Sequence, residues 1–402
     1  MSIEEQFQTL FNQTFDFKVK VMDDHGGEKT FGHGDDDNQV TILFHDGLSI
    51  RDFMKRGVSL YLGEAYMNKK IEVFGKHRPL QRLIANGYRF ADAIQQRPML
   101  YKLFPKQKQK RHSHTAKENK KEIHEHYDIS NDFYKLWLDD TMTYSCAYFE
   151  KETDSLTEAQ NNKVNHILKK LNPQPQRRLL DIGCGWGTLM LTACEKYDLN
   201  VTGITLSEEQ YLYVNQQIKE RHLEGKAQVL LKDYRELNTD PFDYITSVGM
   251  FEHVGQKELR NYFNCIEHLL TKDGVALIHG ITRQQGGATD AWLDEYIFPG
   301  GYVPGLAEII EDMTDERLQV FDMETLRRHY QKTLEIWDDN FNNVLDEVKA
   351  MGKDETFIRM WDLYLQACAA SFEAGNIDCI QYLITKQPSG KTLPMTRDYM
   401  YR

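Results

Sequence analysis

The chain has 402 residues, enough for two domains and a substantial core, and its 41% hydrophobic and 27% charged residues are ordinary for a globular protein. A formal net charge of −12 argues against a nucleic-acid binder that works by neutralising phosphates, so no nucleic-acid partner is expected. No apolar run reaches about 18 residues, and the opening Met-Ser-Ile-Glu-Glu-Gln lacks a signal peptide's basic start and apolar stretch. No membrane span is therefore expected, and the expected location is cytoplasmic. Cys146, Cys184, Cys194, Cys265, Cys368 and Cys379 show no Cys-x-x-Cys spacing, so most are expected to be reduced and buried as small hydrophobes.

Residues 1–104 read as a small α+β domain. Ile3, Phe7, Leu10, Phe11 and Phe15 recur near helical spacing, and Val40 to Phe44 is strand-like. A turn at His45-Asp-Gly47 precedes a helical stretch holding Phe53, Met54, Val58 and Leu62. Residues 105–122 read as a linker, with Lys106, Lys108, Lys110, Arg111, Lys117, Lys120 and Lys121 opposed, up to Lys121, only by Glu118. Such a run is ordinarily a solvated face; its sharper use is contact with anionic lipid, where each basic residue contributes about 1 kcal/mol.

From about residue 178 strands and helices alternate. Arg178 to Ile182, Asn200 to Thr205, Ala227 to Lys232, Phe242 to Val248 and Gly274 to Ile281 are the expected strands, and Ser207 is the expected N-cap of a helix. This is the pattern of an α/β protein with a mostly parallel sheet, whose ligands lie at the carboxyl ends of its strands. Residues 283–318 read as an irregular excursion beside that face, a lid or channel wall, because Phe298-Pro-Gly-Gly-Tyr-Val-Pro-Gly305 does not favour continuous helix or strand.

Asp181-Ile-Gly-Cys-Gly-Trp-Gly187 lies between a strand and a helix. Gly183 and Gly185 let backbone approach a ligand, and the following helix aims its N–H groups at an anion. By itself the loop fits nicotinamide, flavin or S-adenosylmethionine. A dinucleotide site wants an acidic residue at the end of the second strand; Thr205 stands there, with Gln210 a turn later, which disfavours a dehydrogenase.

That loop resembles the first motif of class I methyltransferases, and Val201-Thr-Gly-Ile-Thr-Leu-Ser-Glu-Glu-Gln210 resembles the second motif of the cyclopropane synthases. His126-Tyr-Asp-Ile-Ser-Asn-Asp-Phe-Tyr134, Met142-Thr-Tyr-Ser-Cys-Ala-Tyr-Phe149, Gly249-Met-Phe-Glu-His-Val-Gly255, Tyr296-Ile-Phe-Pro-Gly-Gly301, Arg328-His-Tyr-Gln-Lys-Thr-Leu334 and Leu365-Gln-Ala-Cys-Ala-Ala-Ser-Phe372 continue the likeness to cyclopropane-fatty-acid and mycolic-acid cyclopropane synthases. It runs from roughly residue 120 to the C-terminus, and Leu62-Gly-Glu-Ala-Tyr-Met67 is similar to the bacterial enzymes' N-terminal domain.

The resemblance implies a class I S-adenosylmethionine-dependent methyltransferase fold, Rossmann-like with a seven-stranded sheet. It divides the chain into a lipid-associated domain at 1–104, the basic linker and a catalytic domain at 123–402. It implies methylene transfer from S-adenosylmethionine to the cis double bond of an unsaturated, anionic phospholipid. The implied cofactor residues are Tyr127, Tyr144, Ser145, Asp181, Gly183, Gly185, Gly187, Thr205, Leu206, Gln210, Asp233 and Tyr234. The implied base is a bound bicarbonate, caged by the Cys146 main chain, Glu252, His279, the Ile281 backbone and the Tyr330 hydroxyl. Ionised Glu252 has no proton to give, so it should accept one from the anion or from His279. Tyr330 and Phe149 could also stabilise a carbocation through their ring faces.

Two positions stand out against the family pattern. Gly280 replaces a residue that is often Thr, and Cys368 matches a cysteine sometimes nominated as catalytic, although the chemistry needs no covalent thiol. Cys146, Glu252, His279 and His253 would suit zinc by element type, and His112, His114, His124 and His126 form another cluster. The anion cage accounts for the first set, so no metal is expected. Simple methyl transfer to the same alkene and a lipid-binding protein with a vestigial cofactor fold are the rival functions. The expected setting is the inner membrane surface, gripped peripherally by a homodimer with two basic linkers.

Overall fold

The computed structural model describes residues 3–97, 130–388 and 393–401; Tyr127, the basic linker and its histidines lie outside them. The chain forms two compact units that are discontinuous in sequence. The first comprises 1–110, 290–297 and 334–376, the second 111–289, 298–333 and 377–402. The first unit thus takes in chain from beyond residue 290, which a linear division at 104 and 123 leaves with the catalytic domain.

In the first unit, β1 (Val19–Asp23), β2 (Glu28–Phe31), β3 (Val40–Phe44) and β4 (Ile71–Phe74) form a sheet in the order β2-β1-β3-β4. Phe15, Phe17, Val19 and Val40 are its buried core. The helical stretch expected after the His45 turn is two helices, Ile50–Arg56 and Val58–Met67, because Gly57 at φ 84° breaks the helical path between them. The later segments pack on the second of these. A Cβ at Gly63 would meet the Trp292 ring at 2.3 Å, and the Tyr66 hydroxyl donates to Asp362 Oδ2 at 2.6 Å. Arg359 lies over the Tyr66 ring, 3.9 Å from its centre.

The second unit is built on β5 (Arg178–Ile182), β6 (Asn200–Thr205), β7 (Ala227–Leu231), β8 (Phe242–Val248), β9 (Leu270–Thr282), β12 (Leu318–Thr325) and β13 (Asp378–Lys386). Their order is β12-β13-β9-β8-β5-β6-β7; the five strands from β9 to β7 are parallel, and β13 and β12 close the sheet antiparallel. Both faces are covered, so the strands read as near-continuous apolar runs. Leu179, Val201 and Leu277 join the cluster under the helices Leu156–Leu171, Thr188–Tyr197 and Glu208–Glu220. Leu180, Ile182 and Ile278 face the other way, toward Leu259–Leu269 and Leu306–Asp315.

Register aligns the carboxyl ends. Ile182 pairs with Ile204 on one side and Ser247 on the other, while Val248 pairs with His279. The excursion at 283–318 is more ordered than its composition suggested: it holds the strand pair β10 (Gly287–Ala288) and β11 (Tyr302–Val303) and the helices Ala291–Tyr296 and Leu306–Asp315. Asp290 caps the first of these by accepting from Trp292 N and Leu293 N, a local bond that outweighs the nearby glycines. Among the described residues, no helix is long and apolar enough to cross a membrane.

Candidate active site

The glycine loop leaves β5 with Gly183, Gly185 and Gly187 at φ 75°, 55° and 87°, a region that side chains with a Cβ avoid. Their surroundings differ. A Cβ would meet Met250 at 3.1 Å from Gly183 and Val214 at 3.0 Å from Gly187, whereas Gly185 has nothing within 4 Å. Gly185 therefore leaves open room at the start of the helix Thr188–Tyr197, where unpaired N–H groups favour an anionic ligand.

Tyr144, Ser145, Asp181, Gly183 and Gly185 line one cleft there, together with Thr205, Leu206, Gln210, Asp233 and Tyr234. Gly187 is set back from its wall, against Val214. Thr205 Oγ1 donates to Gln210 Oε1 at 2.7 Å and accepts from Ser207 N at 3.1 Å, so the cap of the next helix fixes both side chains. Asp233 is committed to Arg235, which grips its two oxygens at 2.8 and 2.6 Å. Asp181 is buried, and desolvation lifts its carboxyl to about 6 against the pull of the Thr246 hydroxyl and Lys163.

Lys163 escaped the sequence reading. Only 2% exposed, it lines the cleft and donates to Ser145 Oγ at 2.8 Å; burial pulls its ammonium down to about 8. Its signal was available in helical spacing, because Gln160, Lys163 and Lys170 fall on the same buried face as Val164, Ile167 and Leu171. Gln160 donates to the Ser145 carbonyl at 2.9 Å and so holds the 143–145 loop against this helix.

A second polar cluster involves Cys146. Ligand atoms of Cys146, His279 and Cys379 lie within 4.8 Å of one another, a grouping different from the zinc-compatible set suggested by residue types. His279 is 1% exposed; its Nε2 is 3.2 Å from Cys379 Sγ and its Nδ1 3.2 Å from Gln381 Nε2. Both ring nitrogens are thus engaged with β13, which leaves the anion as the other of the two partners the sequence offered to Glu252. Burial, followed by the charges of Lys163 and Lys170, holds His279 well below the usual histidine range, so it is neutral at physiological pH.

Glu252 lies on the short turn Phe251–His253 after β8. Burial lifts its carboxyl to about 7, and backbone N–H groups of Glu252 and Ile281 oppose that rise. Its Oε2 is buried without a hydrogen-bond partner among the described residues. Burial first, then Cys379, Cys146, Glu252 and Tyr144, keep the Tyr330 hydroxyl protonated. Neutral donors thus share a buried region with one carboxylate oxygen that has no partner, which suits a small anion able both to accept and to donate. Phe149 is differently occupied than expected, with Lys332 Nζ 4.5 Å from its ring centre. Cys368 belongs to the first unit, on the helix Glu355–Glu373, where burial pushes its thiol up to about 12 and leaves it a poor nucleophile.

A family model described as mycolic acid cyclopropane synthetase matches residues 114–382. The chain belongs to that family. Its fold is the class I S-adenosylmethionine-dependent methyltransferase fold with an added small α+β unit. Residues 6–98 match a second model, described as a domain of unknown function (DUF7884). A probable fatty acid methyltransferase of Pseudomonas putida is 38% identical over 90% of this chain and 92% of its own length. The cyclopropane-fatty-acyl-phospholipid synthase of Escherichia coli K12 is 36% identical over 83% of this chain and 86% of its own. The crystal structure of the mycolic acid cyclopropane synthase CmaA1 complexed with SAH and CTAB superposes with a TM-score of 0.62 at 36% identity, covering 66% of this chain and 98% of that one.

Proposed function

We propose that the protein transfers a methylene group from S-adenosylmethionine to the cis double bond of unsaturated phospholipid acyl chains, closing a cyclopropane ring at a membrane surface. The unpartnered Glu252 oxygen beside neutral donors is the observation that supports this reading, because the cation left by methyl addition must give up a proton, and loss of that proton from the new methyl closes the ring.

S-adenosylmethionine, when bound, would supply an electrophilic methyl group. The open Gly185 position and the Thr205–Gln210 pair fit its binding, and Lys163 would present a cation to its carboxylate. A carbocation formed from the alkene must lose a proton from the new methyl for the ring to close. Bicarbonate would supply that base, held by Glu252 as acceptor and by Tyr330 and His279 as donors, with the Ile281 N–H steadying Glu252 itself. Residues this deeply buried also keep water from trapping the cation.

Lys163→Met is expected to weaken S-adenosylmethionine binding about tenfold, the loss of one charge-assisted hydrogen bond, by isothermal titration. Unchanged affinity would remove Lys163 from the cofactor site.

The Pseudomonas relative, matched along most of this chain, favours a second reading in which a methyl-branched or methylene fatty acid is released without ring closure. Incubation with S-adenosylmethionine, bicarbonate and unsaturated phospholipid vesicles, followed by gas chromatography and mass spectrometry of the methyl esters, separates the two. A ring-bearing ester heavier by one methylene is expected. A branched product would establish the second reading, and no product despite cofactor binding would exclude both for this lipid.

A further inference from the structure

We propose that Gln381, oriented by Lys170, is a positioning residue that fixes His279 in the tautomer bearing its proton on Nε2. The role given to that proton rests on the proposed function; the hydrogen-bond geometry that sets it does not.

Gln381 and His279 are direct cross-strand partners of β13 and β9, each 1% exposed, so no bulk water satisfies either side chain. Lys170 Nζ lies 2.7 Å from Gln381 Oε1. An ammonium has only donors, so the amide must turn its oxygen to Lys170 and its NH2 to His279. At 3.2 Å that NH2 donates to Nδ1, which must be the bare nitrogen of a neutral ring. The proton is left on Nε2, the nitrogen facing Cys379 and the Cys146 cluster.

Burial pulls the Lys170 ammonium down, and Glu324, whose Oε2 accepts from both Lys170 and His166 Nε2, opposes that fall and holds the charge in place. The groups acting on the His279 ring are Lys163, Lys170, Glu324 and His166, and the two lysines oppose a second proton. A chain from Glu324 through Lys170 and Gln381 thus reaches His279, every link having its donor and acceptor assigned. For the proposed reaction the consequence is direct. A histidine with Nε2–H can donate to an anion in the cage, whereas the other tautomer would present a lone pair to it.

The test uses the full chain labelled with 15N-histidine and long-range proton–nitrogen correlation spectra, His279 being assigned by its loss in His279→Gln. The wild-type protein is expected to show a protonated Nε2 and a bare Nδ1. In Gln381→Glu one carboxylate oxygen takes Lys170 and the other requires a proton from His279, so the tautomer should invert. Ring closure should then slow about 100-fold in kcat, as on removing an oxyanion donor, with KM for S-adenosylmethionine unchanged. A wild-type ring protonated on Nδ1 overturns the proposal without any variant having to fold, as does a Gln381→Glu ring with the wild-type pattern. Inversion with kcat unchanged would leave the tautomer lock standing and sink the donor role of His279 in the proposed reaction.

Discussion

Glu252→Gln is expected to lower kcat by about 100-fold while making the protein more stable above neutral pH. The carboxyl stands near 7 in the folded chain against its ordinary 4.5, so the folded state holds its proton more tightly than the unfolded state does. Stability from this group is therefore fully present below about 4.5 and is lost as pH rises through about 7, a difference of about 3 kcal/mol at 1.36 kcal/mol per pH unit. Glutamine removes that loss, so the variant should melt above wild type at pH 8, with the difference shrinking toward pH 5. Activity runs the other way. The ionised carboxylate accepts on both oxygens, whereas protonation turns one of them into a donor and removes the charge, so the wild-type rate should fall as pH drops through about 7, and that acid limb should vanish from the variant's residual rate. A variant retaining both the wild-type rate and the acid limb would remove Glu252 from the reaction.

Gly280→Thr restores the side chain often found in the family, yet it is expected to cost about 1–3 kcal/mol and most of the activity. A Cβ at this position would meet Phe251 Cε1 at 2.4 Å and Glu252 Oε2 at 2.8 Å. Phe251 is 1% exposed and packed with Ile380 and Tyr382, so it has little room to yield. The side chain that would move is Glu252, whose placement the reaction needs. Gly280→Ala, carrying the same Cβ, should show most of the loss. Thermal melts and kcat measured together decide it: unchanged melting for Gly280→Thr would mean that Phe251 does shift aside.

The contrast between Gly185 and Gly280 shows what was legible in the chain. The loop containing Gly185 could be read locally, because a strand, three spaced glycines and a helix lie within about twenty residues. The same local reading put Glu252 just beyond an apolar strand, while its role in the cage came from the family resemblance alone. Gly280 registered only as a departure from the family's frequent Thr, because the ring and carboxylate that crowd it come from another strand's end. Gln381 and Cys379 were hidden inside Asp378–Lys386, a buried strand whose polar members look incidental until β9 supplies His279 opposite. The small sheet was harder still. β2 and β4 are four residues each, and charged residues such as Glu28, Lys29 and Glu72 blur the two-residue alternation.

The interleaving of the first unit has a consequence during synthesis on the ribosome. The helix bearing Gly63 and Tyr66 is made before Trp292, Arg359 and Asp362, which complete its packing and follow about 230 to 300 residues later. At roughly 5–20 residues per second, the interval is about 11–60 s. For that time the nascent segment has an apolar flank without its native cover, a natural client for a holding chaperone, while the sheet of the second unit already has five of its seven strands by residue 282.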